Sequence, residues 1–383
     1  MASEATFIAG PEGEIETALQ KPISGTYGIA DSMGLLWSMY GEPEPDVSFG
    51  EGSLEPVKVS FRAEVEGEVV AKAQFEWRFT APGVQRKEVR ENGLAGTLFL
   101  PKGNPPFPAI IVLGGSGGGL SEMTSALLAS HGIASLALAY FAFEQLPPTL
   151  NNIPLEYFEK AMSWLKARPE VASETLTVMG ASRGGELALL LGATFSDIRA
   201  VVGWVPSGLI HAGLPRTTSG LMPAWTYRGE GLPFVAADFD TIDWDRKPIK
   251  LTPGFLAELT DDEAVEAATI PVERINGPVL LISGADDQMW PSSTFSEMVI
   301  NRLHSFKHPF QSIHHSYEGA GHVIKRPYLP CGITHSIHPV TGFDYDYGGT
   351  PSGYLKANID SWKRTLTFLE ARFEALGQPV LRE

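Results

Sequence analysis

The chain has 383 residues, 43% of them hydrophobic and 19% charged; this is too long for one ordinary core and enough to fill two, so two domains are expected, one of them large. A formal net charge of −16 argues against nucleic acid or an anionic membrane as partner, because a phosphate-binding surface needs a basic excess. No window approaches the ~20 apolar residues of a membrane-spanning helix, so no membrane span is expected.

In chain order, the opening MASEATFIAG has no basic segment followed by an apolar run, so no secretory leader is expected. Up to about Leu94 the pattern has period two. Val57, Val59, Phe61, Ala63 and Val65 alternate with polar residues, Glu66-Gly67 can turn, and Ala71, Ala73, Phe75, Trp77 and Phe79 alternate again. This predicts a hairpin with one wet face, part of an antiparallel sheet or sandwich. The stretch from Pro22 to Tyr40, dense in Gly, Met and aromatics, is expected to pack as core.

The character changes near Gly93. Strands are expected at Thr97 to Leu100, Ala109 to Leu113, Ile133 to Tyr140 and Leu176 to Met179, with helices at about Ser121 to His131 and Leu155 to Ala167. Such alternation of strand and helix predicts a parallel sheet with right-handed crossovers and helices on both faces. A strand at Ile198 to Val205 precedes an irregular insertion at about 206–269, expected over the catalytic end of the sheet. The pattern resumes at Pro278 to Gly284, the helix Ser293 to Phe306 and the strand Gln311 to Tyr317. It ends in a long helix whose apolar stripe includes Ile359, Trp362, Leu366, Leu369 and Phe373. The expected domains are therefore 1–94 and 95–383.

The stretch that carries chemistry is Gly180-Ala181-Ser182-Arg183-Gly184, a G-x-S-x-G elbow between an apolar strand and a buried helix. A serine on so tight a turn needs glycines beside it, and in return exposes its hydroxyl at a helix N-terminus with the Arg183 N–H beside the developing oxyanion. The serine needs a base and the base an orienting acid, in the chain order Ser, Asp or Glu, His. His131 and His211 come too early for that order. His314 and His315 lie inside a strand, and His304 and His308 belong to a helix and its turn. His322, in a glycine-flanked loop just past a strand, is the expected base.

For the acid, Asp286 and Asp287 both follow the strand ending at Gly284; Asp287, four residues before Pro291, is the better placed. Gly114 to Gly119 can bring a second N–H, that of Gly115 or Ser116, to the oxyanion. The loop lacks the Lys-Ser/Thr ending of a nucleotide-binding P-loop. Cys331, His335 and His338 are scattered and lack a CxxC pair, so no metal is expected. The single cysteine cannot close an internal disulfide, which fits a reducing cytoplasm.

With these residues in place the chain resembles the acyl-CoA thioesterase and bile acid-CoA:amino acid N-acyltransferase family, especially its bacterial members. The segments that carry the likeness include SGTYGIADSMGLLWSM, IASLALAYF, GASRGGELALLLGA, GPVLLISGADDQMWPS and GAGH, and they reach from about residue 20 to 370. The resemblance implies a β-sandwich N-terminal domain, here shortened, then an α/β-hydrolase domain, with a pocket between them for a fatty acyl thioester. A shortened sandwich leaves a strand edge for a second subunit or a rearranged loop to cover. The family's catalytic trio maps onto Ser182, Asp287 and His322. Members that transfer acyl groups to an amino acid use cysteine at the elbow, so serine points to hydrolysis without metal or redox cofactor. A carboxylesterase, a lactone hydrolase or an acyltransferase on the same trio is the alternative.

Overall fold

In the computed structural model of the chain the described residues are 1–41, 53–215 and 220–380. Residues 42–52 of the expected N-terminal domain, 216–219 of the expected insertion and 381–383 at the end of the expected catalytic domain lie outside them.

Near the N-terminus β1 (Ala5–Thr6) pairs antiparallel with β2 (Ser24–Gly25), followed by the short helix α1 (Gly34–Trp37). As the alternation predicts, β3 (Val57–Val65) and β4 (Glu68–Trp77) form a hairpin, turning on Glu66 and Gly67 at φ of 52° and 85°. The predicted single wet face is not seen. Both faces of β4 are exposed along most of its length, and only the base is covered, where Val59 packs with Leu36 and Met39. The physical reason is that β3 and β4 pair only with each other among the described residues. Of the stretch expected to pack as core, Tyr27, Trp37 and Met39 are buried, whereas Ile23, Ile29 and Tyr40 are exposed.

From residue 85 the strands are β5 (Gln85–Val89), β6 (Ala95–Leu100), β7 (Ala109–Leu113), β8 (Ala134–Ala139), β9 (Ile153–Pro154), β10 (Thr177–Ala181), β11 (Ala200–Trp204), β12 (Trp225–Tyr227), β13 (Glu230–Gly231), β14 (Val279–Gly284), β15 (Ser312–Tyr317), β16 (His335–Ile337) and β17 (Asp344–Asp346). The helices are α2 (Glu122–Ser130), α3 (Leu155–Lys166), α4 (Arg183–Thr194), α5 (Thr252–Ala257), α6 (Asp262–Ala268), α7 (Ser292–Ser305) and α8 (Pro351–Ala375). Eight strands make one sheet in the order β5-β6-β8-β7-β10-β11-β14-β15, with β6 antiparallel to both neighbours and the pairs from β8 onward parallel. This is the α/β-hydrolase arrangement. The sheet also takes in Gln85–Val89, which the change in composition assigns to the preceding domain.

Side chains alternate across the sheet and build two cores. Ile111, Val178, Val201 and Leu281 face α3, α4 and α7, whereas Ile110, Met179, Val202 and Leu280 face α2 and α8. With both faces covered, β7, β10, β11 and β14 are buried along almost their whole length and are mostly apolar. The parallel direction brings the ends of β7, β10, β14 and the loop after β15 to one edge. Among the described residues no helix is long and apolar enough to cross a membrane.

The insertion is sewn down rather than loose. Its β12 pairs with β9, Ile210 N–H donates to Ala268 O, and Leu251 N–H donates to Gln288 O beside the β14 loop. The β16–β17 pair has no counterpart in the sequence reading, because its segments are only three residues long and mostly polar.

Candidate active site

Ser182 stands at the end of β10, one residue before α4, with φ 55° and ψ −124°. That strained conformation persists because its surroundings over-determine it. The Ser182 N–H donates to Trp204 O at 2.8 Å, and its carbonyl accepts from Gly185 and Glu186. A Cβ on Gly180 would lie 1.9 Å from Gly184 O, and one on Gly184 would lie 2.3 Å from Gly114 O and 2.7 Å from Leu113 O. The neighbours are backbone and cannot swing aside. Gly184→Ala is therefore expected to cost about 3 kcal/mol, measured as a lower urea midpoint at unchanged slope.

The expected base, His322, arrives from the loop after β15. His322 N–H donates to Tyr347 O, and the Tyr354 hydroxyl on α8 donates to Gly348 O while accepting from Val323 N–H. The loop after β14, which carries the expected acid, approaches the same loop closely, since a Cβ on Gly284 would meet Gly321 O at 2.3 Å. Asp287 is 4% exposed, whereas Asp286 is exposed. One Asp287 oxygen, Oδ1, accepts from the N–H groups of Met289 and Trp290 at 2.9 and 3.3 Å. The other, Oδ2, accepts from His322 Nδ1–H at 2.8 Å. This leaves the His322 Nε2 lone pair facing Ser182, whose Oγ donates to it at 2.9 Å. The Trp290 ring lies edge-on to His322 with centroids 5.9 Å apart, held by its indole N–H donating to Val205 O.

Arg183 is the first residue of α4, so its N–H has no carbonyl partner within the helix. The glycine loop lies against the elbow: a Cβ on Gly115 would be 3.3 Å from Ser182 Cβ. Tyr140 fixes the loop by donating its hydroxyl to Gly114 O at 2.6 Å. His338 Nδ1 accepts from the Val340 and Thr341 N–H groups, so its Nε2–H donates to Ser116 Oγ at 2.9 Å. Burial and the neighbouring His322 hold His338 below the usual histidine range, in keeping with that neutral form. Cys331 packs against Asn358, and His335 pairs with Asp344. Of the histidines set aside because they lie inside a strand, His314 shares a hydrogen bond with Ser283, and His315 faces Arg364.

Behind the elbow lies a buried charge network that chain-order reasoning passes over. Glu186, four residues after the serine and fully buried, accepts from Trp225 Nε1 at 2.7 Å, from Arg183 Nη1 at 3.1 Å and from His211 Nδ1 at 3.1 Å. His211 Nε2 faces Glu258 Oε1 at 2.8 Å, and Arg183 Nη2 donates to His211 O at 2.9 Å. With a carboxylate at each ring nitrogen, His211 donates twice and is an imidazolium. Two cations and two anions thus balance inside the fold. A glutamate in the otherwise apolar run GGELALLL was the available signal. Glu186→Ala leaves Arg183 and His211 without their shared acceptor, and is expected to cost about 3 to 5 kcal/mol in urea unfolding.

Burial alone drives His211 toward neutrality, but Glu258 and Glu186 outweigh it and raise its pKa above the usual 6.5. A group whose folded pKa is raised stabilises fully below its unfolded value and loses that stabilisation as pH climbs through the folded value. The melting temperature should therefore fall as pH rises above about 6.5, and His211→Gln should flatten this dependence. An equal alkaline slope in both proteins would contradict the assignment.

Residues 153–375 match the family described as BAAT/acyl-CoA thioester hydrolase C terminal, and residues 1–91 match the acyl-CoA thioester hydrolase/BAAT N-terminal region. The chain is 34% identical over 386 residues to acyl-coenzyme A thioesterase 6 of Mus musculus, covering 96% of this chain and 85% of that protein. It is 32% identical over 386 residues to the peroxisomal succinyl-coenzyme A thioesterase of Mus musculus, with the same coverage. Among solved structures, an esterase from Thermogutta terrifontis is similar at 13% identity and a TM-score of 0.44, over 79% of this chain and 97% of that chain.

Proposed function

The chain belongs to the BAAT/acyl-CoA thioester hydrolase family, and from that membership we propose that it is a serine hydrolase cleaving acyl-CoA thioesters to free acid and coenzyme A. The observation that supports this most directly is the chain of hydrogen bonds from Ser182 Oγ through His322 to Asp287, at 2.9 and 2.8 Å. Ser182 Oγ attacks the thioester carbonyl as His322 Nε2 takes its proton. The resulting oxyanion is held by the Arg183 N–H and the N–H of Gly115 or Ser116. As the tetrahedral species collapses, the C–S bond breaks and the coenzyme A sulfur leaves with the proton from His322. Water then adds to the acyl-serine, giving a proton to His322, which returns it to Ser182 Oγ as the acid departs. Asp287 keeps the imidazole in the required tautomer and stabilises it while charged.

Serine rather than cysteine at the elbow supports water as the acceptor. Cys331 is buried and unpaired, which suits a reducing compartment such as the cytoplasm. The test is thiol release from acyl-CoAs of graded chain length by the purified protein. Turnover on at least one of them is expected. Turnover on oxygen esters alone would make it a carboxylesterase, and amide formation with amino acids would make it an acyltransferase.

A further inference from the structure

One guanidinium lies in the interior without an anion among the described residues. Arg326, on the loop between β15 and β16, is 9% exposed. Its Nε donates to Thr124 Oγ1 on α2 at 3.2 Å, and its Nη1 is buried with no acceptor. It sits between two indoles, 4.0 Å from the centroid of Trp204 and 5.2 Å from that of Trp362. No ion pair joins it to any described carboxylate. Ring faces offset part of the cost of burying a cation. The remainder calls for a counter-ion, since isolated charges are poorly tolerated away from water. Burial pulls its pKa down to about 9, the same imbalance expressed in protonation.

Arg326 forms part of the wall of a cleft of about 1040 Å³ between the β3–β4 hairpin base, α2 and α8. Among the described residues the wall contains Arg78, Lys102, Arg326 and Lys363 but no Asp or Glu, in a chain with 45 acidic and 29 basic residues. Arg78 is partly neutralised by Glu76 at 2.9 Å. The rest of the lining is largely apolar, with Phe79, Leu127, Ile359 and Leu366 among it. Ser182, Asp287 and His322 are not in this wall.

We propose that the cleft is a second ligand site, which binds an alkyl-chain anion with its head group on Arg326 and its chain along the apolar wall. The guanidinium supplies Nη1–H to one oxygen of the head group, and Lys363 supplies longer-range attraction. The proposal rests on this cleft alone and does not depend on the reaction assigned to Ser182.

The test is calorimetric titration of the full chain with dodecanoate and with dodecyl phosphate, against dodecanol and inorganic phosphate. At least one of the two alkyl anions should bind saturably, at least about tenfold more tightly than dodecanol or phosphate alone, and the tighter of them identifies the head group. Arg326→Met should weaken that binding by about tenfold or more, and Lys363→Glu, at an exposed position, by about threefold. Should Arg326→Met fail to fold, Lys363→Glu decides. Absence of saturable binding, dodecanol binding as tightly as the anions, or affinity unchanged in every variant that folds would overturn the proposal.

Discussion

Ser182→Ala should lower kcat on an acyl-CoA by about five orders of magnitude while leaving the urea unfolding curve in place. The loss is large because, in the proposed reaction, the hydroxyl forms the acyl-enzyme bond; with it gone, the oxyanion donors and the imidazole have nothing to act through. The fold should survive because alanine accepts the same backbone with a smaller side chain at a partly exposed position. The elbow's strain is set by Gly180 and Gly184 against neighbouring backbone, not by the hydroxyl. Thiol release in single turnover, followed with a fluorophosphonate label on the wild-type protein, gives the reading. Turnover within tenfold of wild type would place the nucleophile elsewhere.

Asp287→Asn should reduce kcat by about four orders of magnitude with little change in stability. Asparagine keeps an oxygen for the Met289 and Trp290 N–H groups, so the loop stays folded. At the other terminal atom an acceptor becomes an N–H₂ donor opposite His322 Nδ1. The imidazole must then carry its proton on Nε2, pointing at Ser182, where it cannot accept one. Asp286→Asn, at an exposed position next door, should leave kcat unchanged. Equal losses in the two variants would mean that the loop's conformation, rather than one carboxylate, matters.

Some of this site is legible residue by residue. The elbow can be read because its requirement is local: the clash of any side chain at 180 or 184 with neighbouring backbone writes itself into the sequence as glycine. The sheet can be read because residues buried on both faces leave continuous aliphatic runs, as in Ala109–Leu113 and Val279–Gly284. His322 can be found because only one histidine combines the right chain order with a free loop after a strand.

The N-terminal hairpin shows the limit of such reading. Its alternation predicts the pairing of β3 with β4 and the turn at Glu66-Gly67, yet it does not say what covers either face. Period fixes which side chains share a face; burial depends on what else packs there. The same limit applies to Asp286 and Asp287, adjacent in one loop and alike in chemistry. They differ in which of them turns inward, a choice made by the approach of Gly284 to Gly321 and of Gly348 to the Asp286 carbonyl.

By itself, then, the sequence determined most of the strands of one large sheet, the serine at its bend and the loop of the proposed base, since each follows from sterics and solvation acting over a few residues; the order of the strands came from the tertiary structure. Tertiary structure alone decided that His211 meets both Glu186 and Glu258, 25 and 47 positions away along the chain. It alone brought Arg326 to Thr124 across 202 positions and set it between two tryptophans. Electrostatic partners inside a protein are chosen by proximity in space and by the loss of water around them, and neither quantity is carried by spacing along the chain.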